Sequence, residues 1–182
     1  MERERVVVIT NKPFAINTKL TVSDIARQLV YGTEPRIPQD RVLTYKEMQD
    51  YVKKAIAIAF GQYIHGIEYG RNKDKFSRIH QPKNGIRYSI VAKPDHVFSS
   101  IAVEEKCTFN PYKTRDLAGE IQLQLEGYVC NAKVGVLKIR HISTNAITSY
   151  AIGLNEDSAI NLINKYIEQT LLPYLSEGRC TR

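Results

Sequence analysis

The sequence predicts an α/β fold in which a mixed β-sheet is flanked by helices. Helical and extended patterns follow one another in the order α, α, β, β, α, β, β, α, which is typical of one mixed domain. The length of 182 residues suits a single domain. We expect residues 1–182 to form that domain, with a helical part at about 1–70, a sheet core at about 86–152 and a C-terminal helix at about 156–172.

The first half of the chain carries the signals of two helices. A short β-rich run at residues 5–10 precedes a helical pattern at residues 20–30. Thr44 and Glu47 then form a capping box, after which apolar residues recur every three or four positions. This periodicity predicts a long helix whose apolar stripe is part of the core. The stripe consists of Met48, Val52, Ala55, Ile56, Ala59, Tyr63 and Ile64.

The second half alternates extended and helical patterns after a segment at residues 71–85 that is predicted as a loop. Asn110-Pro111 ends one of the extended runs, since proline does not continue a strand. The predicted elements are, in order, β-rich runs at 86–98 and 101–109, a helix at 117–131, strands at 134–140 and 147–152, and a helix from Asn155 or Ser158 to about 172.

The chain is basic, with 26 Lys and Arg against 19 Asp and Glu and a net charge of +7. The whole excess lies before residue 92, and its densest part runs from residue 71 to residue 93. Two readings stay open for this stretch, a solvated basic loop or a strip that contacts phosphates beside an acidic site. The basic residues concerned are Arg71, Lys73, Lys75, Arg78, Lys83, Arg87 and Lys93.

Several classes of protein are not expected from this sequence. No apolar stretch approaches the ~20 residues that span a bilayer, and the N-terminal residues lack the apolar core of a secretory signal. Cys107, Cys130 and Cys180 form no Cys-x-x-Cys pair, and three cysteines are too few for a four-cysteine iron–sulfur site. We therefore expect reduced thiols, no membrane partner and a cytoplasmic protein, in the host cytoplasm if the chain is viral.

The clearest constellation of chemical groups lies around the dipeptide Ser99-Ser100. If this dipeptide forms a two-residue hairpin turn, Asp95 faces Glu104 on the opposite strand, and Lys106 lies on the same face. Two opposed carboxylates repel each other, but a hard divalent cation such as Mg²⁺ takes one or two carboxylates together with phosphate oxygens. From spacing alone, a metal site and a charged solvent face neutralised by the lysine both remain open.

The same residues resemble the signature of the PD-(D/E)XK nuclease superfamily, with Pro94-Asp95 as its first half and Glu104-Glu105-Lys106 as its second. Gly61-Gln-Tyr-Ile-His65 resembles the Gly-x-x-x-His motif of the RecB/Cas4-like branch. Gln124-Leu-Glu-Gly-Tyr128 resembles that branch's Gln-x-x-x-Tyr motif. The motifs occur in the family's order over roughly residues 45–140, whereas the iron–sulfur cysteines of Cas4-like nucleases are not matched.

The resemblance implies a restriction-endonuclease-like core, a central mixed β-sheet flanked by α-helices. It also implies a DNA nuclease that hydrolyses phosphodiester bonds with Mg²⁺ or Mn²⁺ and has no iron–sulfur cluster. Glu68, one helical turn after His65, is an alternative carboxylate ligand. The implied roles are catalysis by Asp95, Glu104 and Lys106, metal binding by Asp95, Glu104, the carbonyl of Glu105 and His65, and DNA positioning by Gln124 and Tyr128, with Arg71, Lys73, Lys75 and Arg78 contacting phosphates.

Two other functions remain open at this point. One is a non-catalytic nucleic-acid-binding or adaptor protein that keeps the fold without cleavage. The other is a homodimeric enzyme similar to Holliday-junction resolvases, because one fold can serve different reactions. All three readings make DNA the partner, and the absence of a glycine-rich phosphate loop gives no indication of ATP use.

Overall fold

The computed structural model describes residues 18–32, 44–70 and 74–173. The predicted fold class is confirmed, because these residues form an α/β structure with mixed sheets flanked by helices. The run predicted at residues 5–10, and also Arg71, Lys73 and Cys180, lie outside the described residues. The elements are β1 (Thr18–Thr21), α1 (Val22–Tyr31), α2 (Tyr45–Glu68), β2 (Phe76–His80), β3 (Tyr88–Ala92), β4 (His96–Phe98), β5 (Ile101–Thr108), α3 (Leu117–Cys130), β6 (Val134–His141), β7 (Ile147–Gly153) and α4 (Glu156–Tyr166), which a π-helical turn over Ile167–Leu171 continues.

The described strands form two sheets. The first has the order β1-β3-β2, with β1 parallel and β2 antiparallel to β3. The second has the order β4-β5-β6-β7, in which only β5 and β6 are parallel. The run predicted over 86–98 is therefore two strands in different sheets, because Pro94 has no N–H to continue a ladder. The loop predicted at 71–85 contains β2.

Helix α3 lies between two hydrophobic clusters and positions much of the site. Leu125 and Tyr128 belong to the first cluster, together with residues of β1, α1, β3 and α4. Leu123 belongs to the second cluster, with Ala102 of β5 and Leu137 of β6. Because α3 is packed on both sides, its polar residue Gln122 is held against Lys106 of β5.

Helix α2 differs most from its predicted role. The capping box of Thr44 and Glu47 is present, as predicted. The apolar stripe is not core, however, since Met48 is 51% exposed and Tyr63 66% exposed. The helix contacts β5 at the buried Gly61, where an added Cβ would lie 3.5 Å from the sulfur of Cys107. No described helix combines the length and the apolar composition needed to cross a bilayer.

Candidate active site

The β4–β5 hairpin has the register that the sequence predicts. Phe98 pairs with Ile101 across the Ser99-Ser100 turn, and continuing this pairing one step beyond His96 and Val103 sets Asp95 opposite Glu104. Ser99 has a φ of 54°, in the left-handed region that short hairpin turns use. The carboxylates of Asp95 and Glu104 are both buried. The geometry of the turn therefore brings two acidic residues opposite each other in a buried environment.

Two neighbours orient the carboxylate of Asp95. Its Oδ2 accepts a hydrogen bond from the backbone N–H of Glu105 at 2.6 Å. Its Oδ1 lies 3.1 Å from Nδ1 of His65, which α2 brings to the start of β4. The structure thus places two predicted site residues, His65 and Asp95, in contact. Metal binding by either of them stays a prediction.

A series of hydrogen bonds joins β5 to α3. Nζ of Lys106 donates to Oε1 of Glu104 at 2.6 Å and to Oε1 of Gln122 at 2.8 Å. Nε2 of Gln122 in turn donates to Oε1 of Glu126 at 2.9 Å. Burial disfavours the ammonium group, but Glu104, Glu126 and Asp95 outweigh it and raise the pKa of Lys106. Lys106 is therefore a charged hydrogen-bond donor at neutral pH.

Glu126 adds a third acid to this side of β5. The residue is 0% exposed, and burial, followed by the charge of Glu104, raises its pKa well above the ordinary value. Its Oε2 has no hydrogen-bond partner among the residues that the structure describes. A buried polar atom of this kind costs about 1–3 kcal/mol. The site thus contains three carboxyl groups, those of Asp95, Glu104 and Glu126, and Lys106 alone does not provide hydrogen bonds for all of their oxygens.

This donor set fits a hard divalent cation. Mg²⁺ prefers oxygen ligands and usually takes one or two carboxylates, completing its shell with water and substrate phosphate. Asp95 and Glu104 supply two carboxylates. Over residues 18–32, 44–70 and 74–173, no three His, Cys, Asp or Glu side chains lie close enough to hold a metal ion by themselves. The residues therefore suit an ion shared with substrate, and do not form a closed structural metal site.

Glu105 points to the opposite face of β5, as strand alternation predicts. Nε of Arg140 donates to its Oε1 at 2.5 Å, and the hydroxyl of Tyr69 donates to its Oε2 at 2.9 Å. Burial opposes the ionised form, but Arg140 and Tyr69 outweigh it and lower the pKa of Glu105. Arg140 also binds Glu68, so Glu68 is paired on this face and not at the opposed carboxylates. The sequence analysis did not identify Arg140.

The Gln-x-x-x-Tyr pair does not face the hairpin. Nε2 of Gln124 donates to a carbonyl at the end of β7 at 2.9 Å, and the hydroxyl of Tyr128 lies 3.3 Å from a histidine of β2. Gln122 and Glu126, two positions earlier, are the residues that reach Lys106. Two positions turn an α-helix by about 200°. Gln124 and Tyr128 therefore do not contact Lys106, and their role in positioning DNA stays a prediction.

Two of the residues predicted to contact phosphates, Lys75 and Arg78, lie in different environments. Lys75 is exposed immediately before β2. Arg78, in contrast, is half-buried on the other face of β2, where its guanidinium lies 4.1 Å from the ring centroid of Tyr128 and donates to that residue's carbonyl at 2.9 Å. It also pairs with Glu156 of α4 at 2.5 Å. Arg78 thus joins β2, α3 and α4, and a phosphate contact by its guanidinium stays a prediction.

Neither a protein-family model nor a curated protein matches the sequence. Among solved structures, SSO0001 is similar over 86% of this chain and 78% of its own, with a TM-score of 0.59 and 19% identity. An alkaline exonuclease from Laribacter hongkongensis is similar over 87% of this chain and 89% of its own, with a TM-score of 0.43 and 15% identity. A phage-related exonuclease from Haemophilus somnus 129PT has a TM-score of 0.35 and 14% identity, covering 84% and 81%. The likeness to SSO0001 shows a shared fold.

Proposed function

We propose that this chain is an Mg²⁺- or Mn²⁺-dependent DNA nuclease of the PD-(D/E)XK superfamily, which hydrolyses phosphodiester bonds. The observation that carries the proposal is the opposed pair of buried carboxylates, Asp95 and Glu104, with Lys106 bound to Glu104. Directly opposed acids destabilise a sheet, so stability alone does not favour this arrangement. An active site that binds a cation and a phosphodiester does favour it.

The side chains divide the work of this reaction. Asp95 and Glu104 would hold the ion through their carboxylate oxygens, together with the carbonyl of Glu105. His65, which contacts Asp95, would join them once the ion draws these groups together. A bound divalent ion activates water and neutralises charge on the phosphate. Lys106 keeps its proton and donates a hydrogen bond to the attacking water or to a phosphate oxygen. Gln122 keeps the ammonium group of Lys106 in place.

Within the superfamily, we place the chain in the RecB/Cas4-like branch, in a form without the iron–sulfur cysteines. The contact between His65 and Asp95 supports this placement, because the Gly-x-x-x-His motif then meets the acidic motif. Gln122 provides the amide that the Gln-x-x-x-Tyr resemblance assigned to Gln124, two positions further along α3.

A non-catalytic DNA-binding protein is the second candidate. It is favoured by one observation, that no three ligand side chains of the described residues assemble around a common point. This candidate binds DNA as the nuclease does, but it yields no product with any metal.

Incubation with labelled single-stranded, duplex and branched DNA, in Mg²⁺, Mn²⁺ or EDTA, tests the proposal. We expect products with metal and none in EDTA. Glu104→Gln and Lys106→Met should each abolish cleavage, whereas Glu120→Gln, a matched change elsewhere on the chain, should not. Binding without product in either metal would support the second candidate. Cleavage confined to branched DNA by a protein of dimeric mass would point to a resolvase-like enzyme.

A further inference from the structure

One face of the first sheet is turned away from the first hydrophobic cluster. Besides polar residues it carries the exposed Ile79, which pairs with Ser89, and the buried Val91, which pairs with Ser77. Lys19 of β1 pairs with Ser89 of β3, and Ser77 of β2 lies on the same face because side chains alternate along a strand. The β2–β3 ladder pairs Phe76 with Ala92, so its next step sets Lys75 opposite Lys93. We call this surface the outer lysine face. It is defined by Lys19, Lys75, Ser77, Ser89 and Lys93.

The three lysines of the outer lysine face are all exposed. The Lys19 ammonium, with a smaller contribution from Lys93, lowers the pKa of Lys75. Like charges that face each other on a sheet are destabilising. A cluster of ammonium groups suits an anionic ligand, because the ligand turns this repulsion into attraction.

The outer lysine face leads directly to the opposed carboxylates. Lys93 precedes Asp95 by two residues, and two extended residues span at most about 7 Å. The chain leaves the first sheet after β3 and enters the second sheet at β4. The outer lysine face therefore ends within about 7 Å of Asp95 along the chain.

We propose that the outer lysine face binds the sugar–phosphate backbone of DNA next to the bond that is cleaved. This inference rests on the proposed function and adds Lys19 and Lys93 to its DNA contacts. Lysine ammonium groups and serine hydroxyls contact phosphate oxygens without reading bases. Lys75 and Arg78 are separated by the pleat of β2, so Lys75 belongs to this face and Arg78 does not.

A triple variant with Lys19→Gln, Lys75→Gln and Lys93→Gln tests the proposal. Its control carries Lys53→Gln, Lys54→Gln and Lys165→Gln, which remove the same charge from exposed positions on α2 and α4. The affinity for labelled single-stranded and duplex DNA is measured in EDTA over a series of salt concentrations. The slope of log affinity against log salt should become shallower by about 2–3 in the triple variant, since each contact contributes about 0.7–0.9. The control slope should stay near that of the wild type.

The outcomes separate this inference from the proposed function. Equal slopes in the triple variant and its control would overturn the outer lysine face as a DNA site, even if the wild type cleaves DNA. A shallower slope in the triple variant with no cleavage by the wild type would support the face and refute the nuclease. Thermal unfolding monitors the fold, and the triple variant should unfold at or above the wild-type temperature because repulsion is relieved. An effect restricted to one of two unrelated DNA sequences would overturn the backbone contact.

Discussion

Replacing Gln122 by methionine should slow DNA cleavage because it removes the amide that holds Lys106. The Oε1 of Gln122 accepts a hydrogen bond from the ammonium group of Lys106 at 2.8 Å, in a buried environment. Hydrogen bonds to charged groups contribute about 1.5–3 kcal/mol. If this energy is used to position the lysine in the transition state, the rate of the cleavage step falls about 10- to 150-fold, since about 1.4 kcal/mol corresponds to tenfold.

The assay is single-turnover cleavage in Mg²⁺ with the protein in saturating excess over DNA, which separates the rate of the cleavage step from binding. Gln124→Met is the matched control, because it makes the same change on the same helix but removes contacts to Gly153 and Asn155. The control should lower the unfolding temperature and leave the rate of the cleavage step near wild type. The reasoning is refuted if Gln122→Met cleaves at the wild-type rate, or if both variants lose the same factor in this rate.

Three further predictions concern stability. Glu126 has a raised pKa in the folded state, so in EDTA the free energy of unfolding should fall as pH rises above about 4.5, and urea titrations should show a flatter pH profile for Glu126→Gln. Glu105→Gln should lower the free energy of unfolding in urea titrations, because it weakens the buried pair with Arg140. Since this pair lowers the pKa of Glu105, the wild type should also lose stability as pH falls below about 4.5. Gly61→Ala should raise the unfolding temperature, because the added Cβ makes an ordinary contact with Cys107 and alanine favours a helix by about 1 kcal/mol.

The hairpin could be predicted because its determinants are local. A two-residue turn between two extended runs leaves one register, and a strand period of two then assigns Glu104 and Lys106 to one face. The observed pairing of Phe98 with Ile101 confirms that reasoning. The capping box at Thr44 is equally local, and the structure contains it.

Which residues of α3 face β5 could not be derived in the same way. The helix is buried on most of its circumference, so its apolar residues do not distinguish a face toward β5 from a face toward the other cluster. The family pattern selected Gln124 and Tyr128, whereas the fold uses Gln122 and Glu126. The sequence did contain one signal, which is that Glu126 follows Gln122 by four positions on α3. A buried acid needs a polar neighbour, and residues four apart on a helix can supply it.

Other features depend on contacts that are distant in sequence. The pair of Glu105 and Arg140 requires the parallel pairing of β5 with β6, which no local pattern specifies. The apolar stripe of α2 is a second example. Its periodicity predicted the helix correctly but did not indicate that the stripe is exposed. Amphipathic patterns reveal a helix face without revealing its neighbour.

The buried pair of Glu105 and Arg140 restricts how this chain can diverge. Losing Arg140 leaves the buried carboxylate of Glu105 without its cation, and losing Glu105 leaves Arg140 with Glu68 as its carboxylate partner. Replacing a buried ion pair by apolar residues of similar volume is often close to neutral. The two positions should therefore change together among descendants of this sequence, by way of a costly single-mutant intermediate. Glu104, the preceding residue, lies on the other face of β5 in the proposed active site and should be retained independently of that exchange.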